Sequence, residues 1–311
     1  MLDLSPLKLP SPVQQLHSEF LQQHQIELYI KRDDLIHPVI SGNKWRKLKY
    51  NLKQARQDQH STLLTFGGAY SNHIHATAAA GRYFGFNTIG IIRGEPYSPL
   101  NPTLQDATDW GMQLDYVSRA DYRQKTSAEF IHRLRQKFGD FYLIPEGGNN
   151  DLAVTGVSEI IEELDEDYDM ICIDCGTGAT MAGIIAGLRQ PCHVLGFAVL
   201  KGADFLINDI RQRLQSCRST SAHNWTVNLD YHFGGFAKTR PELFEFIDRF
   251  QQEYHIPLEP IYSGKMLYGV FDLIKKGQLK TGSRVLVIHS GGLQGARGMS
   301  TQHTTDTLNP V

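Results

Sequence analysis

Residues 174–183 read Asp-Cys-Gly-Thr-Gly-Ala-Thr-Met-Ala-Gly, and they follow an apolar run that begins at Met170. The run, the glycines and the Ala/Gly/Ile-rich segment after them predict a buried strand, a tight turn and a helix over 181–188. Glycines let backbone N–H groups approach an anion, and a helix N-terminus favours negative charge. The stretch therefore predicts a phosphate cup, although a tight turn that needs glycine gives the same spacing. The dinucleotide-binding motif is incomplete here, because Met181 stands where its third glycine should be. The P-loop motif is also incomplete.

Outward from this stretch, short apolar runs alternate with amphipathic helical patterns. The runs predict strands over 27–31, 62–66, 88–92, 170–174, 194–200 and 285–289. Helix starts are indicated by capping boxes at 126–129 and 239–242, the second with Pro241 at the first helical position. A helix over 265–276 is expected to end at Gly277. Alternating strands and helices predict an α/β fold with parallel sheets, whose ligands bind at the carboxyl ends of strands.

Composition narrows the class of protein. The 311 residues correspond to roughly two domains. A net charge of −2 argues against a nucleic-acid partner, because such proteins usually carry a basic face. Four cysteines are too few for a disulfide scaffold, and no apolar stretch reaches the roughly 18 residues of a membrane span. With no signal peptide recognised, we expect a cytoplasmic α/β protein that has no membrane partner.

Two further stretches resemble ligand-binding helix starts. Gly67-Gly68-Ala69-Tyr70-Ser71-Asn72-His73 runs from a strand into an Ala-rich helix, whose N-terminus suits a carboxylate; Ser71 and Asn72 are also ordinary capping residues. Residues 41–48, Ser-Gly-Asn-Lys-Trp-Arg-Lys-Leu, place Lys44 at a helix start. The helix dipole disfavours the charged form of a lysine there, which suits attack on a carbonyl. A solvated lysine beside Arg46 and Lys47 is the alternative.

Other pairs of reactive side chains have simpler explanations. Cys172 and Cys175 resemble half of a zinc site, but an apolar strand makes Cys172 a core thiol. His73 and His75 would point to different faces of a helix, so we expect no metal. Asp33 and Asp34 stand beside Lys31 and Arg32 and predict a structural charge cluster.

Two later turns, Tyr262-Ser263-Gly264-Lys265 and His289-Ser290-Gly291-Gly292, complete a set that a phosphorylated aldehyde cofactor would need. At these residues the chain resembles the fold-type II pyridoxal-phosphate enzymes, and within them the D-cysteine desulfhydrase and 1-aminocyclopropane-1-carboxylate (ACC) deaminase family. The matching segments run from Tyr29 to Gly292 and so cover most of the chain.

The resemblance implies a fold like that of the tryptophan synthase β subunit: two three-layer α/β/α domains with mostly parallel sheets. The large domain would comprise 1–45 and 154–311, and the small domain 46–153. It also implies a homodimer. Pyridoxal 5′-phosphate would be attached to Lys44. The implied cofactor contacts are Asn72 at the phenolic oxygen, Ser290 at the pyridine nitrogen, and Gly176, Thr177, Gly178, Ala179 and Thr180 at the phosphate.

The resemblance also implies where a small amino-acid substrate binds and how it reacts. Ser71, Asn72 and His73 at the helix start would take the substrate carboxylate, and Tyr262 would lie near the substrate. Lys44, Tyr262 and Ser71 are the implied catalytic residues, with the α-proton removed by Lys44 or Tyr262.

Two positions bear on the choice of substrate. Relatives that open the cyclopropane ring tend to have Glu after the tyrosine and Leu before the double glycine, where this chain has Ser263 and Ser290. A hydroxyl at the pyridine nitrogen makes the ring a weaker electron sink, which suits β-elimination. We therefore expect a lyase that converts D-cysteine to pyruvate, hydrogen sulfide and ammonia. Phe236 stands where the family often has a second tyrosine.

Several alternatives stay open. The chain could be an ACC deaminase or another pyridoxal-phosphate amino-acid lyase or dehydratase. A protein that binds a nucleotide or phosphate at the glycine cup without pyridoxal phosphate belongs to a different class. A binder that keeps the cofactor but has no turnover is the third case, suggested by Phe236.

Overall fold

The computed structural model describes residues 4–40, 42–217 and 224–297, which contain ten strands in two sheets. Ser41, considered above, lies outside this range. The strands are β1 Val13–Leu16, β2 Glu27–Lys31, β3 Thr62–Gly67, β4 Asn87–Arg93, β5 Met112–Val117, β6 Tyr142–Leu143, β7 Met170–Cys175, β8 His193–Ala198, β9 Trp225–Asn228 and β10 Arg284–Ile288.

Eleven α-helices connect these strands in the same ranges. They are α1 Glu19–Gln23, α2 Asn43–Gln57, α3 Asn72–Phe84, α4 Pro102–Asp109, α5 Arg119–Tyr122, α6 Ala128–Phe138, α7 Asp151–Glu162, α8 Ala179–Gly187, α9 Phe205–Ser216, α10 Pro241–Tyr254 and α11 Ser263–Lys275. Three short 3₁₀ helices occupy Asp33–Leu35, Glu146–Gly148 and Leu293–Ala296.

The larger sheet has the order β1-β2-β10-β7-β8-β9, and every pair except β1–β2 is parallel. Alternate residues of its strands face opposite layers, as the two-residue period of a strand requires. Val285 and Val287 pack with α10 and α11, whereas Leu286 and Ile288 pack with α7, α8 and α9. Apolar side chains on both faces explain the continuous apolar runs in the sequence.

The smaller sheet, β5-β4-β3-β6, is entirely parallel. Helices α2 and α3 cover one face through Leu63, and α6 covers the other through Leu64 and Phe66. Both sheets are therefore the middle layer of an α/β/α sandwich. The strands of the larger sheet come from 13–31 and 170–288, and those of the smaller sheet from 62–143. The proposed domain limits, at 45/46 and 153/154, fall within α2 and α7.

All six predicted strands are present, within a residue or two at each end. Two helix starts differ from the prediction. The N-cap of α6 is Ser127, whose Oγ accepts the Phe130 N–H at 3.2 Å, and not Thr126. Pro241 is the first residue of α10, as predicted, so the N-cap is Arg240 rather than Thr239. A proline at the first helical position fixes the cap one residue before it, which excludes the threonine.

Candidate active site

Lys44 lies in the first turn of α2, directly against the loop that follows β10. Gly42 precedes the helix with φ +62°, and a Cβ at this glycine would lie 1.8 Å from the Ser290 carbonyl oxygen. The Asn43 N–H donates to that same oxygen at 3.2 Å. Only glycine permits this approach, since another residue would meet both the clash and an unfavourable φ. The two segments that the sequence places 246 residues apart, Lys44 and Ser290, are thereby brought together.

A buried network of charges anchors the helix that carries Lys44. Arg46 donates to both carboxylate oxygens of Asp33 and also pairs with Glu163 at 2.5 Å. Lys31, predicted to neighbour Asp33, pairs instead with Glu163 at 2.8 Å. Charges are tolerated in an interior only when they are paired and hydrogen-bonded, and these are. The predicted structural role of the aspartates holds, because Asp34 likewise pairs with Arg32 at 2.8 Å.

The glycine cup, residues 176–180, connects β7 to α8, which begins two residues earlier than predicted, at Ala179. Asn43 Nδ2 donates to Thr180 Oγ1 at 3.3 Å, so the cup lies beside the start of α2. Lys47 Nζ, one helical turn after Lys44, donates to Thr177 Oγ1 at 3.2 Å. One amide of the cup is already engaged, since the Gly178 N–H donates to Asp209 Oδ2 at 2.9 Å.

Burial changes the chemistry of both lysines at the cup. It lowers the pKa of Lys44, against the opposing charges of Asp174 and Glu259. Burial and, to a smaller extent, the charge of Lys44 together lower the pKa of Lys47 to about 7. An amine with a lowered pKa holds a larger neutral fraction near neutral pH, which is the form that attacks a carbonyl or accepts a proton.

The β3 loop, residues 68–71, ends at the N-cap of α3. Ser71 Oγ accepts the Ile74 N–H at 3.3 Å, which leaves the hydroxyl hydrogen free to donate to a ligand. The N–H groups of Asn72 and His73 belong to the first turn, where the helix itself offers no acceptor. Asn72 faces the loop after β10, because a Cβ at Gly292 would lie 2.7 Å from its Nδ2. Gln294 Nε2 donates to Asn72 Oδ1 and so fixes the amide.

The His73 ring is buried beneath this helix start. Thr65 Oγ1 donates to the Ile144 carbonyl at 2.8 Å and lies 2.8 Å from His73 Nε2. Since a hydroxyl has one hydrogen, the imidazole must donate from Nε2 and leave Nδ1 unprotonated. Burial lowers the pKa of His73 to about 3, so the ring is neutral. The residue can serve a substrate through its backbone N–H.

Tyr262 precedes α11, and its ring lies against the glycine cup. A Cβ at Gly176 would lie 3.0 Å from Tyr262 Cε1. Glu259 accepts the N–H groups of Ile261, Tyr262 and Ser263 and so fixes this turn. Burial raises the pKa of Tyr262, so its hydroxyl stays protonated. Phe236, which stands where the family often has a second tyrosine, lies beside Tyr262 with ring centroids 6.0 Å apart.

Ser290 follows β10 and contacts the end of β7. Its Oγ donates to Asp174 Oδ1 at 2.6 Å, and the two side chains are 5% and 3% exposed. Burial raises the pKa of Asp174. The sequence assigned no role at the site to Asp174, Lys47, Glu259 or Asp209, because nothing in their local sequence distinguishes them from ordinary turn and surface residues. All the predicted site residues nevertheless converge at the carboxyl ends of β3, β7 and β10 and the start of α2.

Comparison with known proteins shows which protein family has this arrangement. Residues 4–291 match the model of the family described as "Pyridoxal-phosphate dependent enzyme". The chain belongs to this family. It is 30% identical to the mitochondrial bifunctional D-cysteine desulfhydrase/ACC deaminase of Arabidopsis thaliana, over 92% of this chain and 77% of that protein. It is 24% identical to the D-cysteine desulfhydrase of Serratia proteamaculans, over 86% of each.

A solved structure agrees with these relatives. The crystal structure of an ACC deaminase homologue has a TM-score of 0.84 and 27% identity, and the match covers 98% of this chain and 95% of that one. This pyridoxal-phosphate enzyme thus has the fold-type II architecture that the sequence predicted, and its membership of the D-cysteine desulfhydrase/ACC deaminase group is confirmed.

The residues at the site fit pyridoxal phosphate, the cofactor of the family. The cup presents backbone amides, two threonine hydroxyls and the Lys47 ammonium, which is a donor set for a phosphate dianion. Lys44, with its lowered pKa, lies beside the cup and can hold the aldehyde. In the described ranges no group of three or more metal-ligating side chains is present, and no helix is long and apolar enough to cross a membrane.

Proposed function

We propose that this enzyme catalyses β-elimination from a small amino acid, with D-cysteine as the substrate and pyruvate, hydrogen sulfide and ammonia as products. The observation that carries the proposal is that hydroxyl residues, Ser263 and Ser290, occupy the two positions where ring-opening relatives tend to have Glu and Leu. Both side chains are buried, and each donates to a carboxylate, Ser263 to Glu259 and Ser290 to Asp174.

The substrate carboxylate would bind at the β3 loop. Ser71 Oγ accepts one helical amide and keeps its hydrogen, and the amides of Asn72 and His73 point out of the helix start. Asn72 is fixed by Gln294 and would hold the phenolic oxygen of the cofactor. These contacts would hold the substrate carboxylate at the N-terminus of α3.

When bound, pyridoxal phosphate withdraws electrons from the α-carbon and so acidifies its hydrogen. The Lys44 amine is the base that we assign to this hydrogen, because its pKa is lowered by burial while Asp174 and Glu259 stabilise the ammonium that forms. Tyr262, whose raised pKa keeps its hydroxyl protonated, can donate to the departing sulfur. Phe236 packs edge-on against Tyr262.

The direct test is turnover of purified holoenzyme with D-cysteine, L-cysteine and ACC in parallel, with sulfide, 2-oxo acid and ammonia measured in each. Sulfide and pyruvate in equal amounts from D-cysteine, and no 2-oxobutyrate from ACC, is the expected result. 2-Oxobutyrate from ACC in the absence of sulfide from D-cysteine would replace this proposal with the deaminase. Ser263→Glu is the matched variant, since it restores the residue of the ring-opening relatives.

The homodimer, the cytoplasmic location and the domain limits remain proposals. Light scattering of the purified holoenzyme tests the first, and a mass of one chain, 35.1 kDa, would contradict it. Limited proteolysis that cuts near residues 46 and 153 would support the domain limits.

A further inference from the structure

The carboxylate of Asp174 is buried at the end of β7 without a partner of opposite charge. Its side chain is 3% exposed, and the hydrogen bond that it receives from another side chain comes from Ser290 Oγ at 2.6 Å. Within the described part of the chain no lysine, arginine or histidine forms an ion pair with it. Lys44 and His289 act on it only at longer range.

A buried carboxylate of this kind is costly unless a positive charge lies nearby. Burial raises the pKa of Asp174, as expected for a carboxyl group without its counter-ion. Two other buried carboxylates have such a partner, Asp33 in Arg46 and Asp34 in Arg32. Glu259, which has none, accepts three backbone N–H groups instead. The contrast indicates that a bound group supplies the missing charge.

The hydrogen bond of Ser290 determines whether the bound group must be a hydrogen-bond donor or an acceptor. A hydroxyl has one hydrogen and two lone pairs, and Ser290 gives its hydrogen to Asp174. With Asp174 ionised, a ligand atom on the other side of Oγ meets only lone pairs, and it must be a hydrogen-bond donor. The pyridine nitrogen of the cofactor, which the proposed function places at Ser290, can donate only when it is protonated.

We propose that Asp174 is a positioning residue that acts through Ser290 to keep a proton on the pyridine nitrogen of the cofactor. The ring N–H donates to Ser290 Oγ, and the Ser290 O–H donates to the carboxylate. The proton stays on the nitrogen, and its positive charge lies one hydroxyl away from the negative charge of Asp174. This inference rests on the proposed position of the cofactor, and it revises the expectation that a hydroxyl at residue 290 makes the ring a weak electron sink.

The test is ¹⁵N NMR of holoenzyme reconstituted with pyridoxal phosphate that carries ¹⁵N in the ring, because the shift reports directly whether the nitrogen is protonated. The wild-type protein is expected to show the protonated signal. Asp174→Asn removes the negative charge, and Ser290→Ala removes the link, so both are expected to move the signal toward the unprotonated value. Ser290→Thr keeps the hydroxyl and is expected to restore the wild-type signal, which a merely structural role would not explain.

Asp209→Asn is the matched control, since this carboxylate contacts Gly178 of the glycine cup but not Ser290. It is expected to leave the ring signal in place. An unprotonated ring in the wild type, or an unchanged signal in Ser290→Ala, would overturn the inference. Should Asp174→Asn not fold, the Ser290→Ala and Ser290→Thr pair decides alone. Sulfide release is scored separately, so a protonated ring without sulfide keeps this inference and defeats the proposed reaction.

Discussion

The β3 loop and the glycine cup after β7 both run from a buried strand through glycine into the start of a helix, yet their electrostatic surroundings differ. In the cup, Lys47 Nζ lies 3.2 Å from Thr177 Oγ1. The pKa of Lys47 is about 7, so a large fraction of this amine is charged at neutral pH. The β3 loop relies on Ser71, on backbone amides and on a neutral His73. An anion bound by a cation and amides is held more tightly than one bound by neutral donors.

This difference matches the two ligands that we assign. A phosphate dianion that stays through many turnovers needs the cation, whereas a substrate carboxylate must enter and leave in each one. Lys44 acts on both helix starts, because its charge lowers the pKa of Lys47 at the cup and of His73 at the start of α3.

Lys44→Ala is expected to lower kcat by about 10²- to 10⁴-fold, because this is what a positioned general base contributes. Neither loop is altered, so the cup should still bind the cofactor without a covalent link. Steady-state sulfide assays and equilibrium dialysis of the cofactor measure the two effects. Turnover near the wild-type rate would remove Lys44 from the mechanism.

Lys47→Met is expected to raise the Kd for pyridoxal phosphate by about 10- to 100-fold, while KM at saturating cofactor stays the same. A hydrogen bond to a charged group contributes about 1.5–3 kcal/mol, and 1.4 kcal/mol is a tenfold change. Lys49→Met is the matched control on the same helix, since Lys49 pairs with Glu159 instead. Equal cofactor affinities in the two variants would show that the cup does not use Lys47.

Ser71→Ala is expected to do the reverse and raise KM by about tenfold without changing the cofactor Kd, because one hydrogen bond to a charged carboxylate is lost. It also removes a helix cap, at a cost of about 1 kcal/mol in the free energy of unfolding. Ser127→Ala removes the equivalent cap of α6 and so controls for stability. A higher cofactor Kd in Ser71→Ala would contradict the division between the loops.

Cofactor affinity of the wild type is expected to fall several-fold as the pH rises above about 7. Burial lowers the pKa of Lys47 to about 7, so the ammonium that binds phosphate is present below this pH and lost above it. The bound phosphate raises that pKa and moves the fall to higher pH. In Lys47→Met the fall in cofactor affinity that comes from this ammonium should be absent. If affinity falls equally with pH in the wild type and in Lys47→Met, the assignment of the fall to Lys47 is wrong.

The sequence predicted what depends on local pattern and missed what depends on distant contacts. The predicted strand 27–31 coincides with β2, because this strand contains an apolar run and has a neighbouring strand on each side. Strand β1, an antiparallel edge strand with three exposed residues of four, has no such run. Lys47 is indistinguishable from a solvated lysine in sequence, because its partners, Gly147 and Thr177, are 100 and 130 residues away.

The site residues show the same limit. Motif resemblance identified Lys44, Asn72 and Ser290, and the structure brings their segments together. Asp174 was quoted as the first residue of the deciding stretch without a role, since its significance comes from Ser290, 116 residues later. The capping boxes were placed one residue too early, because Thr126 and Ser127 are equally good caps in sequence.

The most direct test of the account is to locate the cofactor on the chain. Two lysines with lowered pKa values, Lys44 and Lys47, lie one helical turn apart at the cup. Borohydride reduction of the holoenzyme, followed by proteolysis and mass spectrometry, identifies the lysine that carries the pyridoxyl group. The account predicts the modification on Lys44 alone, and a pyridoxyl group on Lys47, or on neither lysine, would contradict it.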